Sequence, residues 1–233
     1  MRLFVIEGID GAGKSTQIKL LNNYLTAKGK KTEYLHFPRT ETPYFGELIA
    51  RFLRGEFGSL NEVDPWLVAM LYAGDRRDAA ETIIKWLEKG RVVLLDRYTY
   101  SNIAYQCAKI EENAERKRLM NWILDLEFNH FKIPKPDINI FLDVPFAFTQ
   151  SRLTNVRSGN DRDYLLGTKD IHEESLEFQE RVRDIYLSLQ SQENNFAVVD
   201  CGDQHGEMLK PGEIFEKITY LLEKRGLLDD LNI

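Results

Sequence analysis

The residues best suited to chemistry stand near the amino terminus, in Gly8-Ile9-Asp10-Gly11-Ala12-Gly13-Lys14-Ser15. The spacing G-x-x-x-x-G-K-[ST] is that of a loop that cradles phosphates. Glycines at 8, 11 and 13 admit backbone angles that a side chain forbids, so successive amides can turn inward as an anion nest. A helix starting near Lys14 adds the positive end of its dipole. The Lys14 ammonium is expected on the outer phosphates, and the Ser15 hydroxyl on Mg²⁺. Taken alone, the loop specifies a nucleoside triphosphate. A second pair, Asp96-Arg97, closes the apolar run Arg91-Val92-Val93-Leu94-Leu95. An acid at the carboxyl end of a buried strand falls near the metal of such a site. Asp96 is expected to hold Mg²⁺ through water, and Arg97 to fork onto a phosphate. The alternative on position alone is a helix cap beside a surface charge.

These groups need a scaffold, and the hydrophobic pattern supplies one. Leu3-Phe4-Val5-Ile6 is long enough for one buried strand and too short for a helix. After Ser15 the apolar spacing turns helical, at Ile18, Leu21 and Leu25. A second strand is expected over 31–37, stopped by Pro38, and a short helix over 44–53. Residues 55–61 read as loop. A long helix is expected over 64–89, with Asp64 as its cap, Pro65 at its first position and Gly90 at its stop. The strand over 91–95 follows, then helical stretches at 101–109 and 114–130. Pro134 and Pro136 frame a linker to a strand at 138–142 ending in Asp143. Helices are expected over 146–156, 171–190 and 211–225, with a last strand at 196–199 and a tail from 227.

Five apolar strands alternating with helices predict an α/β fold of three layers, a parallel sheet covered on both faces. Ligands are then expected at the carboxyl edge of the strands. The polar stretch 157–170 has no periodicity and reads as a mobile lid. Neither a repeat nor a linker divides the chain, so residues 1–233 are expected to form one domain.

Bulk properties narrow the class. The chain has 233 residues and a net charge of −6, which argues against a general nucleic-acid binder with its basic face. It leaves room for a nucleotide site, where a few arginines and a metal act locally. No apolar run approaches ~18 residues and no secretory pattern opens the chain, so neither membrane insertion nor export is expected. Cys107 and Cys201 fit no metal or redox spacing, and so few thiols point to a reducing compartment, the cytoplasm.

Glu7 to Thr16 resembles the phosphate loop of the thymidylate kinases. Asp96-Arg97-Tyr98-Thr99-Tyr100-Ser101, followed by Ala104-Tyr105-Gln106, is similar to a second stretch of that family. Phe37-Pro38-Arg39, Pro134-Lys135-Pro136-Asp137 and Leu142-Asp143-Val144 also fit. The resemblance implies a P-loop fold and transfer of the γ-phosphoryl group of ATP to thymidine monophosphate (dTMP), with Mg²⁺, in a homodimer. It implies that Gly8, Gly11, Ala12, Gly13, Lys14, Ser15 and Thr16 cradle ATP. It implies that Arg97 and Arg39 hold the acceptor phosphate and that Asp10 meets the sugar 3′-hydroxyl. Tyr72 would stack on thymine, Arg76 reach its exocyclic oxygen, Gln106 pair with the base edge, and Tyr105 favour deoxyribose; Ser101 completes the acceptor site.

Spacing supports part of this set. Tyr72 and Arg76 are four apart on a helix and share a face, beside a gap at Gly74-Asp75 where a ligand has room. Gln106 offers the donor and acceptor that thymine's edge requires. On residue type alone, Tyr72 is more often a core aromatic and Gln106 more often a surface residue.

The resemblance further implies a lid that supplies catalytic arginines. Gly11 leaves none in the loop, whereas the lid carries Arg157 and Arg162, with Arg152 upstream. An arginine arriving on closure stabilises the transition state selectively; the alternative is a solvated charged loop. Another nucleotide kinase of the same fold is the near rival. A GTP-dependent switch is the distant one, because Thr168-Lys169-Asp170 misplaces the acid of the guanine signature.

Overall fold

A computed structural model describes residues 2–149, 164–166, 170–172 and 175–229. Five strands, β1 (Arg2–Glu7), β2 (Thr32–His36), β3 (Val92–Asp96), β4 (Ile138–Asp143) and β5 (Phe196–Asp200), form one parallel sheet in the order β2-β3-β1-β4-β5. The central strand β1 lies between β3 and β4, with Ile6 opposite Asp96 and Ile140. The loop after β1 therefore opens at the place where strand order reverses, the crevice that ligands use in such sheets.

Alternation along β1 separates two cores. Phe4 and Ile6 face one layer, with Phe178, Val182, Tyr186, Ile214 and Ile218. Leu3 and Val5 face the other, with Ala79, Ala80, Ile83, Phe37 and Tyr98. Both faces are covered, which is why β1, β3 and β4 read as near-continuous apolar runs rather than alternating ones.

The covering helices are α1 (Lys14–Ala27), α2 (Phe45–Leu53), α3 (Pro65–Glu88), α4 (Thr99–Cys107), α5 (Asn113–Leu124), α6 (Leu176–Leu189) and α7 (Pro211–Lys224). Their ends follow local chemistry. Asp64 caps α3 by accepting from the Trp66 and Leu67 amides, Pro65 takes its first position, and Gly90 leaves it at φ 70°. Among the described residues, no helix is long and apolar enough to cross a membrane.

Several expected boundaries shift. α6 starts at Leu176 rather than 171, because Ser175 caps it and the Ile171 amide is drawn to the Leu53 carbonyl. α4 starts two residues earlier than expected, directly after the loop that carries Arg97. The helix expected over 114–130 changes after Leu124 into a π-helical turn, Asp125–His130. The helix expected from 146 is helical over 146–149, and its remainder lies outside the described residues. The tail is anchored at Leu228, which is buried. The gap foreseen at Gly74-Asp75 is occupied by the protein itself. A Cβ at Gly74 would lie 2.2 Å from the Phe45 ring, so the missing side chain lets α2 pack close against α3.

Candidate active site

The phosphate loop joins β1 to α1. Gly11 and Gly13 hold φ 80° and 85°, which a side chain would oppose, and Gly13 leads directly into the first turn of α1. Lys14 folds back across this loop, its Nζ donating to the carbonyls of Gly8 (3.2 Å) and Ile9 (3.1 Å). Burial lowers its pKa to about 8, and the Arg97 charge adds to the shift against Asp96, Asp10 and Glu7.

Ser15 Oγ donates to Asp96 Oδ2 at 3.4 Å, so the loop and the end of β3 meet. His36 Nδ1 lies 3.5 Å from the same oxygen. Asp96 Oδ1 is buried with no partner among the described residues. Burial pushes the Asp96 carboxyl up, but His36, Lys14 and Arg97 outweigh it and hold the group below the usual carboxylate range. An ionised carboxylate with one unpaired oxygen, next to a hydroxyl, is a hard-oxygen donor set of the kind Mg²⁺ uses when phosphates complete its shell.

Arg97 sits one residue past β3 at φ 67°, a left-handed conformation that costs a non-glycine residue about 1–2 kcal/mol. Its amide donates to the Ile6 carbonyl. Its guanidinium reaches Asp10 Oδ1 (2.7 Å), Tyr105 Oη (3.2 Å) and Ser101 Oγ (3.2 Å). Tyr105 Oη donates to the other Asp10 oxygen at 2.9 Å. Asp10, Arg97, Ser101 and Tyr105, drawn from three parts of the chain, therefore form one cluster. Strained backbone at an arginine facing a phosphate loop is the pattern of a functional site.

Desolvation raises the pKa of the Tyr72 hydroxyl well above the usual value, and Asp170, Arg97, Arg76 and Asp10 all act on it electrostatically, although the residue as a whole is only partly buried. Gln106 is buried, and its Oε1 has no partner among the described residues. A core glutamine with an orphaned amide oxygen is costly unless a ligand satisfies it. The surface alternative for Gln106 fails on burial.

Two arginines are already engaged. Arg39 clasps Asp75 through its amide (2.9 Å) and Nε (2.8 Å), and through Nη2 to the Asp75 carbonyl (2.7 Å). Arg76 is 1% exposed and forks onto Glu127 at 2.6 and 2.7 Å, with Thr99 and Asn102 also donating to that carboxylate. Two of the three guanidinium nitrogens of Arg76 thus face Glu127. The sequence offered no sign of Asp75, Glu127, Glu7 or Tyr186 as partners, because each pairing spans distant segments.

Asp170 accepts from Tyr164 Oη (2.9 Å) and the His172 amide (2.8 Å), while Arg54 donates to the Tyr164 carbonyl. The His172 ring lies 4.9 Å from that of Tyr105. One end of the expected lid is thereby tied beside the cluster. Arg152, Arg157 and Arg162 lie outside the described residues.

A parallel sheet with a glycine nest on its central strand and an acid at the end of the next strand defines the class of phosphate-loop nucleotide-binding proteins. Residues 6–210 match the family described as thymidylate kinase, and the chain belongs to the thymidylate kinase family. It is 35% identical over 190 residues to the thymidylate kinase of Mycobacterium tuberculosis H37Rv, spanning 82% of this chain and 86% of that one. It is 32% identical over 221 residues to a probable thymidylate kinase of Pyrococcus abyssi, spanning 94% of each. A solved thymidylate kinase structure from Candida albicans matches with a TM-score of 0.69 at 24% identity, over 97% of this chain and 92% of that one; this likeness shows the fold.

Proposed function

We propose that this protein transfers the γ-phosphoryl group of ATP to dTMP, giving dTDP and ADP on the route to dTTP, with Mg²⁺, in the cytoplasm and as a homodimer. The observation that carries the reading is the Asp10–Arg97–Tyr105–Ser101 cluster, set directly beside the phosphate loop. A hydrolase or switch needs only the loop and a metal. A cationic group held opposite the loop, beside an aromatic face and a buried amide, suits a second nucleotide.

In this reading, the nest from Gly8 to Thr16 holds the triphosphate, and Lys14 leaves its own carbonyls for the outer phosphates. Ser15 and Asp96 would hold Mg²⁺, which when bound would supply charge neutralisation beside the phosphates. Arg97 bridges the acceptor phosphate and the transferring group, exchanging Asp10 for phosphate oxygens. Asp10 then turns to the sugar 3′-hydroxyl, Tyr105 crowds the 2′ position, and Tyr72 stacks on thymine for about 1–3 kcal/mol. Gln106 meets the base edge, and its orphaned oxygen supports that role. Arg39 and Arg76 act on the acceptor through the nitrogens that their carboxylate partners leave. The segment 157–170 works as a lid of the single domain, with Arg157 and Arg162 closing on the transition state. Catalysis is positioning and charge stabilisation, without a covalent intermediate.

One experiment separates this from its rivals: a coupled assay with ATP and Mg²⁺ against dTMP, UMP, CMP and GMP. Preference for dTMP is expected. Preference for another monophosphate would reassign the acceptor, and GTP hydrolysis without any acceptor would favour a switch. Arg97→Ala, with folding verified, is expected to abolish transfer.

A further inference from the structure

Glu7 and Tyr186 are both 0% exposed, and the side-chain oxygens of both are engaged by protein partners. Both nevertheless converge on Arg97. Glu7 Oε1 accepts from the Tyr98 amide at 3.0 Å, the residue directly after Arg97. Glu7 Oε2 accepts from Ser101 Oγ at 2.5 Å and from Tyr186 Oη at 3.0 Å. Tyr186 Oη is also 2.7 Å from Ser101 Oγ, so three oxygens form a closed triangle. Arg97 Nη1 donates into that triangle through Ser101 Oγ.

The triangle has a definite hydrogen inventory. Ser101 and Tyr186 own one hydroxyl hydrogen each. With Glu7 ionised, both can point to Oε2, which leaves the Ser101 lone pairs free for Arg97. Glu7 holds the peptide after Arg97 with one oxygen and the support of its guanidinium with the other. Tyr186 is in turn fixed by its ring, stacked on Phe141 at 4.4 Å. A fully buried carboxylate is retained at a cost unless it has such a task.

We propose that Glu7 and Tyr186 are positioning residues for phosphoryl transfer: through Ser101 and the Tyr98 amide they hold the left-handed backbone and the guanidinium of Arg97 where the acceptor phosphate arrives. The inference rests on the role given to Arg97 above. It extends the site one layer inward, to β1 and α6. Glu7 has to be ionised to serve. Burial raises its pKa, while Ser101, Arg97, Tyr186 and the Tyr98 amide oppose the rise. The other charged or titratable groups that act on or with it are Lys14 from the phosphate loop and Tyr100 from α4. As pH falls, protonation of Glu7 releases Arg97, so kcat acquires an acid limb.

The test uses Tyr186→Phe, which keeps the stacked ring and removes only the hydroxyl, and Glu7→Gln, which keeps shape and removes the charge. Steady-state kinetics with ATP and dTMP are read across acid pH, with folding checked by circular dichroism. Glu7→Gln is expected to lower kcat about tenfold or more, since misplacing a reacting group by ~1 Å costs up to about 10²-fold. The KM for ATP should stay near that of the unaltered protein, and the acid limb should vanish. Tyr186→Phe is expected to lower kcat several-fold, about 3- to 10-fold, and to move the acid limb to higher pH, because a donor that lowers the Glu7 pKa is gone. If Glu7→Gln does not fold, Tyr186→Phe decides. Unchanged kcat, or a reduced kcat with an unmoved acid limb, overturns the proposal. Those outcomes with an inactive Arg97→Ala leave the role of Arg97 standing; an active Arg97→Ala removes that role and this inference with it.

Discussion

Lys14 in the free protein is held by two carbonyls of its own loop and is buried. Its pKa of about 8 follows chiefly from that burial, so the free protein holds it partly neutral in mild alkali. Triphosphate oxygens favour the charged form, so binding ATP draws a proton onto Lys14. Calorimetry in buffers of different ionisation enthalpy is therefore expected to show proton uptake on ATP binding near pH 8, with affinity falling as pH rises further. Lys14→Met is expected to abolish the uptake. The folding sign is the opposite one. Because the folded pKa is depressed below the ordinary 10.5, the unfolded chain binds more protons between about 8 and 10.5, and Lys14's contribution makes stability rise with pH there. Gln106 gives a second prediction at this scale. Gln106→Ala is expected to narrow the preference for dTMP over other monophosphates about 10-fold or more, by loss of one buried polar partner. ATP affinity should not change. An unaltered preference in the same assay would remove Gln106 from base recognition.

At the scale of elements, α3 is held by ionic contacts that its own sequence does not announce. Arg76 on α3 is tied to Glu127 in the π-helical turn, and Asp75 to Arg39 in the β2–α2 connection. Glu127 accepts from Arg76, Thr99 and Asn102 in a site with no solvent exposure. Breaking a buried pair from one side leaves an uncompensated charge and costs about 3–5 kcal/mol. Glu127→Ala is expected to lower unfolding free energy by that order in denaturant titration, and to raise the KM for dTMP as Tyr72 and Arg76 lose their footing. A stable Glu127→Ala protein with unchanged KM would show that the pair neither supports α3 nor orients the base site.

At the scale of the whole molecule, α3 also carries an unpartnered outer side. Leu67 is 67% exposed and Met70 38%, one turn apart, on a helix whose opposite side is buried. If the proposed homodimer forms through these two side chains, a second copy of α3 would cover them. Leu67→Glu is expected to shift the protein to monomer in sedimentation velocity, because a charge facing its copy across a two-fold axis meets a like charge. An unchanged dimer would place the interface elsewhere.

Much of this protein is decided locally, and those parts can be read from the chain alone. The glycine nest, Lys14 and Ser15 lie within eight residues, and Asp64, Pro65 and Gly90 bound α3 by contacts a few residues long. Short-range sterics and capping suffice for such features, so the loop, the five strands and most helices were legible, as was the position of Asp96 and Arg97 at the end of a buried strand. Only the tertiary structure decided what those residues face. Glu7 and Tyr186 are 179 positions apart, Arg76 and Glu127 are 51, and Arg39 and Asp75 are 36. The same holds for Phe45, which fills the space at Gly74 that spacing alone had left for a ligand. Which carboxylate neutralises a buried arginine depends on the sheet order and on which helix covers which face. Those are properties of the packed chain, where long-range burial sets the partner and no periodicity encodes it.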